Sequence, residues 1–441
     1  MAFTKTLAEM EQSVPESDAA KRLESFFDAG SFRELDKFLS ADGELSSVIT
    51  GYGTVAGAPC FAFAQNTAVK GGAVNKAAAL KIKKAYELAV KAGEPVVGFY
   101  DSKGGDINEG MAVLSAYGDI MKASAAASGV VPQVAVVCGV CAGCAAMLAA
   151  MADICIMTEK SELFLTAPFN TPDGKLEGAG LASNAAKSGV CHIKAKDDSE
   201  AVSKAKALLS VLPMNNLSIG GSDEFPANDA DITAGLKAGE LVAAVADKNS
   251  VTELSAEFGT AAYTALGSLG GATAAFITTD KAAKLTAADC AKIARLVQFA
   301  DVFSIPVVTV VDTEGFEGSS EAELAGSVRD CARLAQIYAT ATCAKINLIK
   351  GKAFGAAFAA FDSADMTFAF ENAQIAPMAP EAGKVFMGEE LVTSPFAAAS
   401  LGMIDAVIDP ADARDIIADS IELCRDKREP SPARKHADFT F

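Results

Sequence analysis

Two pairs of glycines stand where main-chain atoms could do chemistry. Gly139 and Gly143 follow the apolar run 134–137, and Gly351 and Gly355 follow the run 346–349. An Ala-rich segment comes next in both places. Glycine tolerates positive φ and lets another group approach the backbone closely. A helix starting at such a turn points unpaired N–H groups, and the positive end of its dipole, at whatever lies in front. That arrangement stabilises negative charge developing on an oxygen without any side chain. Each well-placed donor of this kind is worth about 3 kcal/mol in a barrier.

Side-chain chemistry has few candidates. The chain holds two histidines, His192 and His436, which argues against a Ser–His–Asp hydrolase or a His-ligated metal site. His192 is expected to be structural and His436 solvated. Cys144 sits at the first glycine turn, but a catalytic thiolate needs a base or cation beside it. The neighbours Cys141, Ala142, Gly143, Ala145 and Ala146 supply neither. No phosphate loop and no zinc pattern occurs, and the segment 310–315 lacks the glycine spacing of a dinucleotide fingerprint.

The elements that carry these turns come in two copies. Residues 134–168 align without gaps on 346–380, at an offset of 212. Gly139 falls on Gly351, Gly143 on Gly355, Asp153 on Asp365, Glu159 on Glu371 and Pro168 on Pro380. Upstream the offset is 211: Pro95 falls on Pro306, Asp101 on Asp312, Gly104 on Gly315 and Lys81 on Lys292. The repeat disposes of two imitations. Residues 134–152 carry no charge and are long enough to span a bilayer, but the second copy holds Lys350, Lys352 and Asp362 there, at a prohibitive cost in lipid. Cys138, Cys141 and Cys144 mimic an iron–sulfur spacing, but the second copy has no cysteine at those positions.

Runs 95–100 and 306–311 predict buried parallel strands. Helices are expected over 74–92 and 287–303 before them, and over 109–127 and 321–341 after them. Strands 134–137 and 346–349 follow, each leading through glycine into an Ala-rich helix. This order, given twice, predicts an α/β fold with crossover connections. The Gly-, Asp- and Asn-rich segment around 215–239 predicts the boundary: a first half 1–216, a linker 217–239 and a second half 240–441. A polar tail is expected over 427–441.

The 441 residues suit two or three domains. Just over half are hydrophobic, enough for large cores. The net charge of -18 excludes nucleic acid and anionic membrane surfaces as partners. Ten cysteines, with no apolar leader at the start, imply free thiols in a reducing cytoplasm.

Taken together, these segments resemble the carboxyltransferase subunits of biotin-dependent acyl-CoA carboxylases and decarboxylases, in the crotonase-like superfamily. The resemblance runs from about residue 21 to the end. Residues 22–36 are similar to the family's opening helix and Gly-Ser-Phe turn, and 48–55 to its first strand. Gly71-Gly72 and 101–110 resemble its glycine-bearing loops, and 139–145 its Gly-Pro-Cys-Ala-Gly-Gly-Ala turn. In the second half, 306–316, 352–358 and 402–410 resemble further family segments.

The resemblance implies two tandem crotonase-like ββα superhelix domains. The first would bind the acyl-CoA and the second carboxybiotin. The N–H groups of Gly143 and Cys144 would face the thioester oxygen, and those of Ala356 and Ala357 the biotin ureido oxygen. Gly71, Gly72, Gly104, Gly105 and Gly139, with Gly315, Phe316, Phe354, Gly355 and Ala359, would line the substrate sites. Biotin would arrive on a carboxyl carrier protein, since no attachment motif occurs in this chain. Further partners would be a biotin carboxylase or, for a decarboxylase, a membrane subunit. The expected assembly is a hexamer built as a trimer of dimers, with one subunit's first half facing another's second. A silent CoA-binding scaffold stays open as an alternative. Where the family has glycines, this chain has Cys144 and Ala356. Asp106 replaces an arginine and Glu314 a proline, and Ala359 stands where the family tunes acyl size.

Overall fold

A computed structural model of the chain describes residues 6–430 apart from 13, 15, 42–43, 167–177 and 221–224, together with 432, 433 and 438. Pro168 of the repeat, Gly221 to Asp223, His436 and most of the polar tail lie outside the described residues. The chain forms two compact units, Met1–Ser210 with Met214–Asn216, and Val211–Pro213 with Leu217–Phe441.

Each unit is built on an eight-stranded sheet. In the first, the strands are β1 Arg33–Leu35, β2 Val48–Val55, β3 Ala58–Gln65, β4 Val96–Ser102, β5 Gln133–Ala142, β6 Ile154–Thr158, β7 Glu162–Phe164 and β8 Ile193–Ala195. Their order is β1-β2-β3-β4-β5-β6-β8, with β7 also paired to β5. The β1–β2 and β2–β3 pairs are antiparallel and the rest parallel. The second unit has β9 Thr252–Glu253, β10 Tyr263–Leu269, β11 Ala272–Thr278, β12 Val307–Thr313, β13 Lys345–Phe354, β14 Met366–Phe370, β15 Gln374–Ala376 and β16 Ala406–Ile408. Its order is β9-β10-β11-β12-β13-β14-β16, with β15 on β13. Orders and directions match strand for strand, as the repeat requires. So do the irregularities: β4 and β5 slip register between Tyr100 and Ser102, and β12 and β13 between Val311 and Thr313.

The helices follow from local chemistry. In the first unit they include α1 Asp18–Phe26, α2 Lys76–Ala92, α3 Ala112–Ala127 and α4 Cys144–Met151. In the second they include α5 Ala287–Val302, α6 Ser327–Thr340 and α7 Ala356–Phe361. Asn75 caps α2 by accepting from the Ala78 N–H, and Gly93 ends it in the left-handed conformation. Its inner face, Ala78, Ile82, Tyr86 and Ala89, keeps helical spacing and lies in the first core. Thr286 and Asp289 form a capping box on α5.

Several expected boundaries shift for physical reasons. The first helix starts at Lys76 and not at 74, because Val74 pairs with Gly105 in a β-bridge. The next starts at Ala112, after a short 3-10 turn that Asp106 caps. The helix expected over 321–341 breaks at Gly326, whose φ is 85°. The apolar strands run on to Ala142 and Phe354, because their distal ends pair with β7 and β15. The segment 217–239, expected as a linker, groups with the second unit. Its polar backbone finds partners there: the Leu236 carbonyl accepts from the Lys350 ammonium at 2.9 Å. Ala238 begins a helix, and its N–H donates to Asp280 at 3.0 Å. Among the described residues no helix is long and apolar enough to cross a membrane; residues 134–152 are strand, turn and helix.

Candidate active site

The two glycine turns are conformational twins. Gly143 has φ 60° and ψ −124° and precedes α4. Gly355 has φ 58° and ψ −133° and precedes α7. This is the mirror image of the β region, open to glycine and strained for any side chain. The turns are pinned alike: the Gly143 N–H donates to the Phe164 carbonyl at 2.9 Å and the Gly355 N–H to the Ala376 carbonyl at 3.0 Å.

That pinning corrects one expectation. Gly143 has already given its N–H to Phe164, so it is no donor to a ligand. The unpaired donors of the first turn are the N–H groups of Cys144 and Ala145, which open α4. They are the repeat equivalents of Ala356 and Ala357, which open α7. The shift is one residue, and its cause is the short strand β7, whose edge takes the first donor. Phe164 and Ala376 themselves were not singled out in the sequence.

Gly139 and Gly351 do not sit at the turns. They lie inside β5 and β13, four residues earlier, each facing a carboxylate at the end of the neighbouring strand. A Cβ at Gly139 would collide with the Asp101 carboxylate, and one at Gly351 with that of Asp312. These glycines are therefore buttress positions. The amide N–H of Asp101 donates to Gln65 at 2.9 Å and that of Asp312 to Thr279 at 2.8 Å. The charges on the two carboxylates are balanced differently. Arg22 of α1 reaches Asp101 at 3.0 Å and Asp198 at 2.6 Å. Burial works against the Arg22 charge, and the Cys138 thiol, Asp198 and Asp101 more than reverse that, so its pKa is raised. In the second unit Lys350, at the position of Cys138, lies 3.6 Å from Asp312 and 2.6 Å from Asp280. The Lys352 N–H also donates to Asp312 at 2.9 Å.

Matched loops flank each turn at the C-terminal ends of the central strands. Ser102 brackets Gly104, accepting from its N–H at 3.0 Å and donating to its carbonyl at 3.1 Å. Thr313 does the same for Gly315 at 3.3 and 3.1 Å. Gly105 bridges Val74, and Phe316 bridges Leu285. Gly71 and Gly72 form a turn at positive φ, and a Cβ on Gly72 would collide with the Asp101 carbonyl. Phe354 is buried at the end of β13, while Ala356 and Ala359 are exposed on the rim of α7. Asp106 does not present a free charge to a ligand: its carboxylate is tied to Lys70 at 2.9 Å and to Asn108. Glu314 pairs with Lys352 at 2.6 Å.

Sequence reasoning passed over one further group. The Tyr117 hydroxyl on α3 is buried and, among the described residues, has no hydrogen-bond partner. Burial, then the nearby Cys141 and Cys144 thiols, push its pKa up, so it stays protonated and can donate. The Cys144 thiol makes no hydrogen bond to a base among the described residues. His192 Nδ1 accepts from the Cys155 N–H at 2.9 Å, remote from the turn in a structural role.

Two duplicated units, each with a positive-φ glycine turn presenting backbone donors at the end of a parallel sheet, define a tandem crotonase-like protein. The chain belongs to the carboxyl transferase family of biotin-dependent acyl-CoA enzymes: the carboxyl transferase domain matches residues 16–387. It is 32% identical to the methylmalonyl-CoA carboxyltransferase 12S subunit of Propionibacterium freudenreichii subsp. shermanii, over 98% of this chain and 93% of that one. It is 33% identical to the propionyl-CoA carboxylase beta chain of Saccharopolyspora erythraea, over 96% and 90%. Its fold matches the crystal structure of transcarboxylase 12S with hydrolysed methylmalonyl-coenzyme A bound. The TM-score is 0.91 at 30% identity, over 99% of this chain and 95% of that one.

Proposed function

We propose that this protein transfers a carboxyl group between biotin on a separate carrier protein and the α-carbon of an acyl-CoA. We assign the acyl-CoA to the first unit and the biotin to the second. The observation that carries the reading is the pair of matched turns, each presenting two unpaired backbone N–H groups. Carboxylation at an α-carbon puts negative charge on the thioester oxygen, and the N–H groups of Cys144 and Ala145 suit that charge. Such donors are fixed before the reaction and need no reorganisation during it.

The second turn fits a ureido group. The Ala356 and Ala357 N–H groups suit a planar urea oxygen, and the small exposed side chains of Ala356 and Ala359 leave room at the rim. When bound, biotin supplies the carboxyl group. The chain's own part is to hold the ureido oxygen and so ease release of that group. The relatives named for methylmalonyl-CoA and propionyl-CoA point to a short acyl chain.

Adding avidin to the protein mixed with its biotinylated carrier and an acyl-CoA panel is the test. Carboxyl transfer is expected to stop; transfer unaffected by avidin would rule the biotin role out. The cytoplasm is the proposed location, since all ten cysteines are free.

We propose a hexameric assembly like that of transcarboxylase 12S. Large apolar side chains support it: Met111 and Leu324 are 87% and 89% exposed, and Val385 and Phe386 are 89% and 82% exposed. Apolar surface of this kind is what subunit interfaces cover. Light scattering is expected to give a mass of several chains, and a monomer active at full rate would overturn the proposal.

A further inference from the structure

We propose that Cys290 and Cys331 form a reversible dithiol–disulfide site, oxidised within the folded protein by a peroxide. The inference goes beyond carboxyl transfer and rests on the outer helices of the second unit. Cys290 lies in the first turns of α5 and Cys331 in the first turns of α6, and their Sγ atoms are 3.7 Å apart. A disulfide needs about 2.05 Å between the sulfurs, which is within reach of small side-chain rotations from van der Waals contact. The two helices that carry them are packed against each other.

The two thiols differ in the way that oxidation chemistry requires. Cys290 is fully buried, while Cys331 is partly open to solvent. Cys331 is therefore the sulfur that a small oxidant reaches first. A hydrogen bond between the thiols holds the Cys331 pKa down and raises that of Cys290, while Asp330 and Glu323 work against a Cys331 thiolate. The other partly exposed cysteines, Cys138, Cys144 and Cys424, have no second sulfur in contact among the described residues. For them oxidation would stop at the sulfenic acid or proceed to irreversible acids.

The balance of the step is simple. The Cys331 thiolate attacks one oxygen of hydrogen peroxide. The O–O bond breaks, and the leaving hydroxide takes a proton to become water. Cys331 is then a sulfenic acid. The Cys290 sulfur gives up its proton and attacks Cys331 Sγ. The S–S bond forms and the S–O bond breaks, and the departing hydroxide takes that proton as a second water. Two thiols are oxidised together by two electrons, and one peroxide is reduced to two waters.

The test is thiol mapping of the full-length folded protein and does not depend on turnover. Its failure therefore leaves the carboxyltransferase reading untouched. The protein is treated with a small excess of hydrogen peroxide, free thiols are blocked with N-ethylmaleimide, and tryptic peptides are read by mass spectrometry without reduction. The expected result is a peptide linking Cys290 to Cys331, lost on adding dithiothreitol and absent from Cys331→Ser. Cys144→Ser is expected to retain it. Oxygen addition to Cys331 with no linked peptide would overturn the proposal, as would a disulfide between other cysteines or a pair that resists peroxide while Cys144 reacts.

Discussion

Replacing Cys144 with proline is expected to lower turnover by about 10²–10³-fold, while Cys144→Ser keeps it near the parent level. Cys144 is the first residue of α4, directly after Gly143. Proline suits that position, because its fixed φ is already helical and the missing N–H has no intrahelical partner to lose. Proline also disfavours the α region in the residue before it, and Gly143 is not in that region. The substitution therefore deletes one donor with little effect on the helix. Serine keeps the N–H and removes only the thiol. Loss of activity in Cys144→Ser with acyl-CoA binding intact would make the sulfur chemical and remove the backbone account of this turn. The drop in Cys144→Pro belongs in kcat, since the interaction is strongest when charge is on oxygen; a rise in KM alone would place the donor in ground-state binding. The same change at Ala356 separates the two halves. Ala356→Pro is expected to slow the reaction with carrier-borne biotin while acyl-CoA affinity stays at the parent value. If Ala356→Pro weakened acyl-CoA binding and Cys144→Pro did not, the assignment of the halves would be reversed.

The doubling was legible in the sequence because it is written in residues whose roles are conformational. Gly143 and Gly355 occupy a backbone region closed to other residues, and Gly139 and Gly351 must leave room for Asp101 and Asp312. No neighbouring residue type can replace them, so they survive in both copies at constant spacing. The engagement of the Gly143 N–H was not legible, because a hydrogen bond to a three-residue strand has no local signature. β7 and β15 are too short for their alternation to register. The offset of 212 nevertheless maps Ala356 and Ala357 onto Cys144 and Ala145, the two residues that follow the bonded Gly143 N–H. Arg22 left no such trace. It meets Asp101 from 79 residues away, and its counterpart in the second unit is a lysine on the strand itself. The two halves keep the carboxylate and change the origin of the cation, which no comparison of the copies reveals. Lys350 was half legible: a lysine inside an apolar strand run announces a buried cation, but not its partner.

Lys350→Met is expected to destabilise the second unit by about 3–5 kcal/mol near neutral pH, the cost of stranding a buried charge. Lys350 and Asp280 are 3% and 1% exposed at 2.6 Å. The lysine also donates to the Leu236 carbonyl and lies near Asp312. Without it, Asp280 keeps, among the described residues, the Thr278 hydroxyl and the Ala238 N–H. The first unit holds Cys138 at this position, so the strand itself tolerates an uncharged side chain; the penalty comes from Asp280 and not from packing. The double variant Lys350→Met with Asp280→Asn is therefore expected to be more stable than the single one. The pH dependence follows from the direction of the Asp280 shift. Burial alone would raise its pKa, but hydrogen bonds from Lys350, Thr278 and Ala238 outweigh it and hold the carboxyl below the usual range. A depressed carboxylate contributes stability above its unfolded pKa of about 3.9, and that stability is lost as pH falls through the lower folded value. In Lys350→Met the carboxyl has lost its strongest partner, so burial governs and it takes up a proton at higher pH. The gap between parent and variant is then widest near pH 7 and narrows as the medium turns acid. The two units need not unfold together, so the measurement is hydrogen exchange in strand Lys345–Phe354 across a urea series at several pH values. A gap that stays constant with pH would show that the methionine side chain harms packing and that the ion pair is not what stabilises this strand.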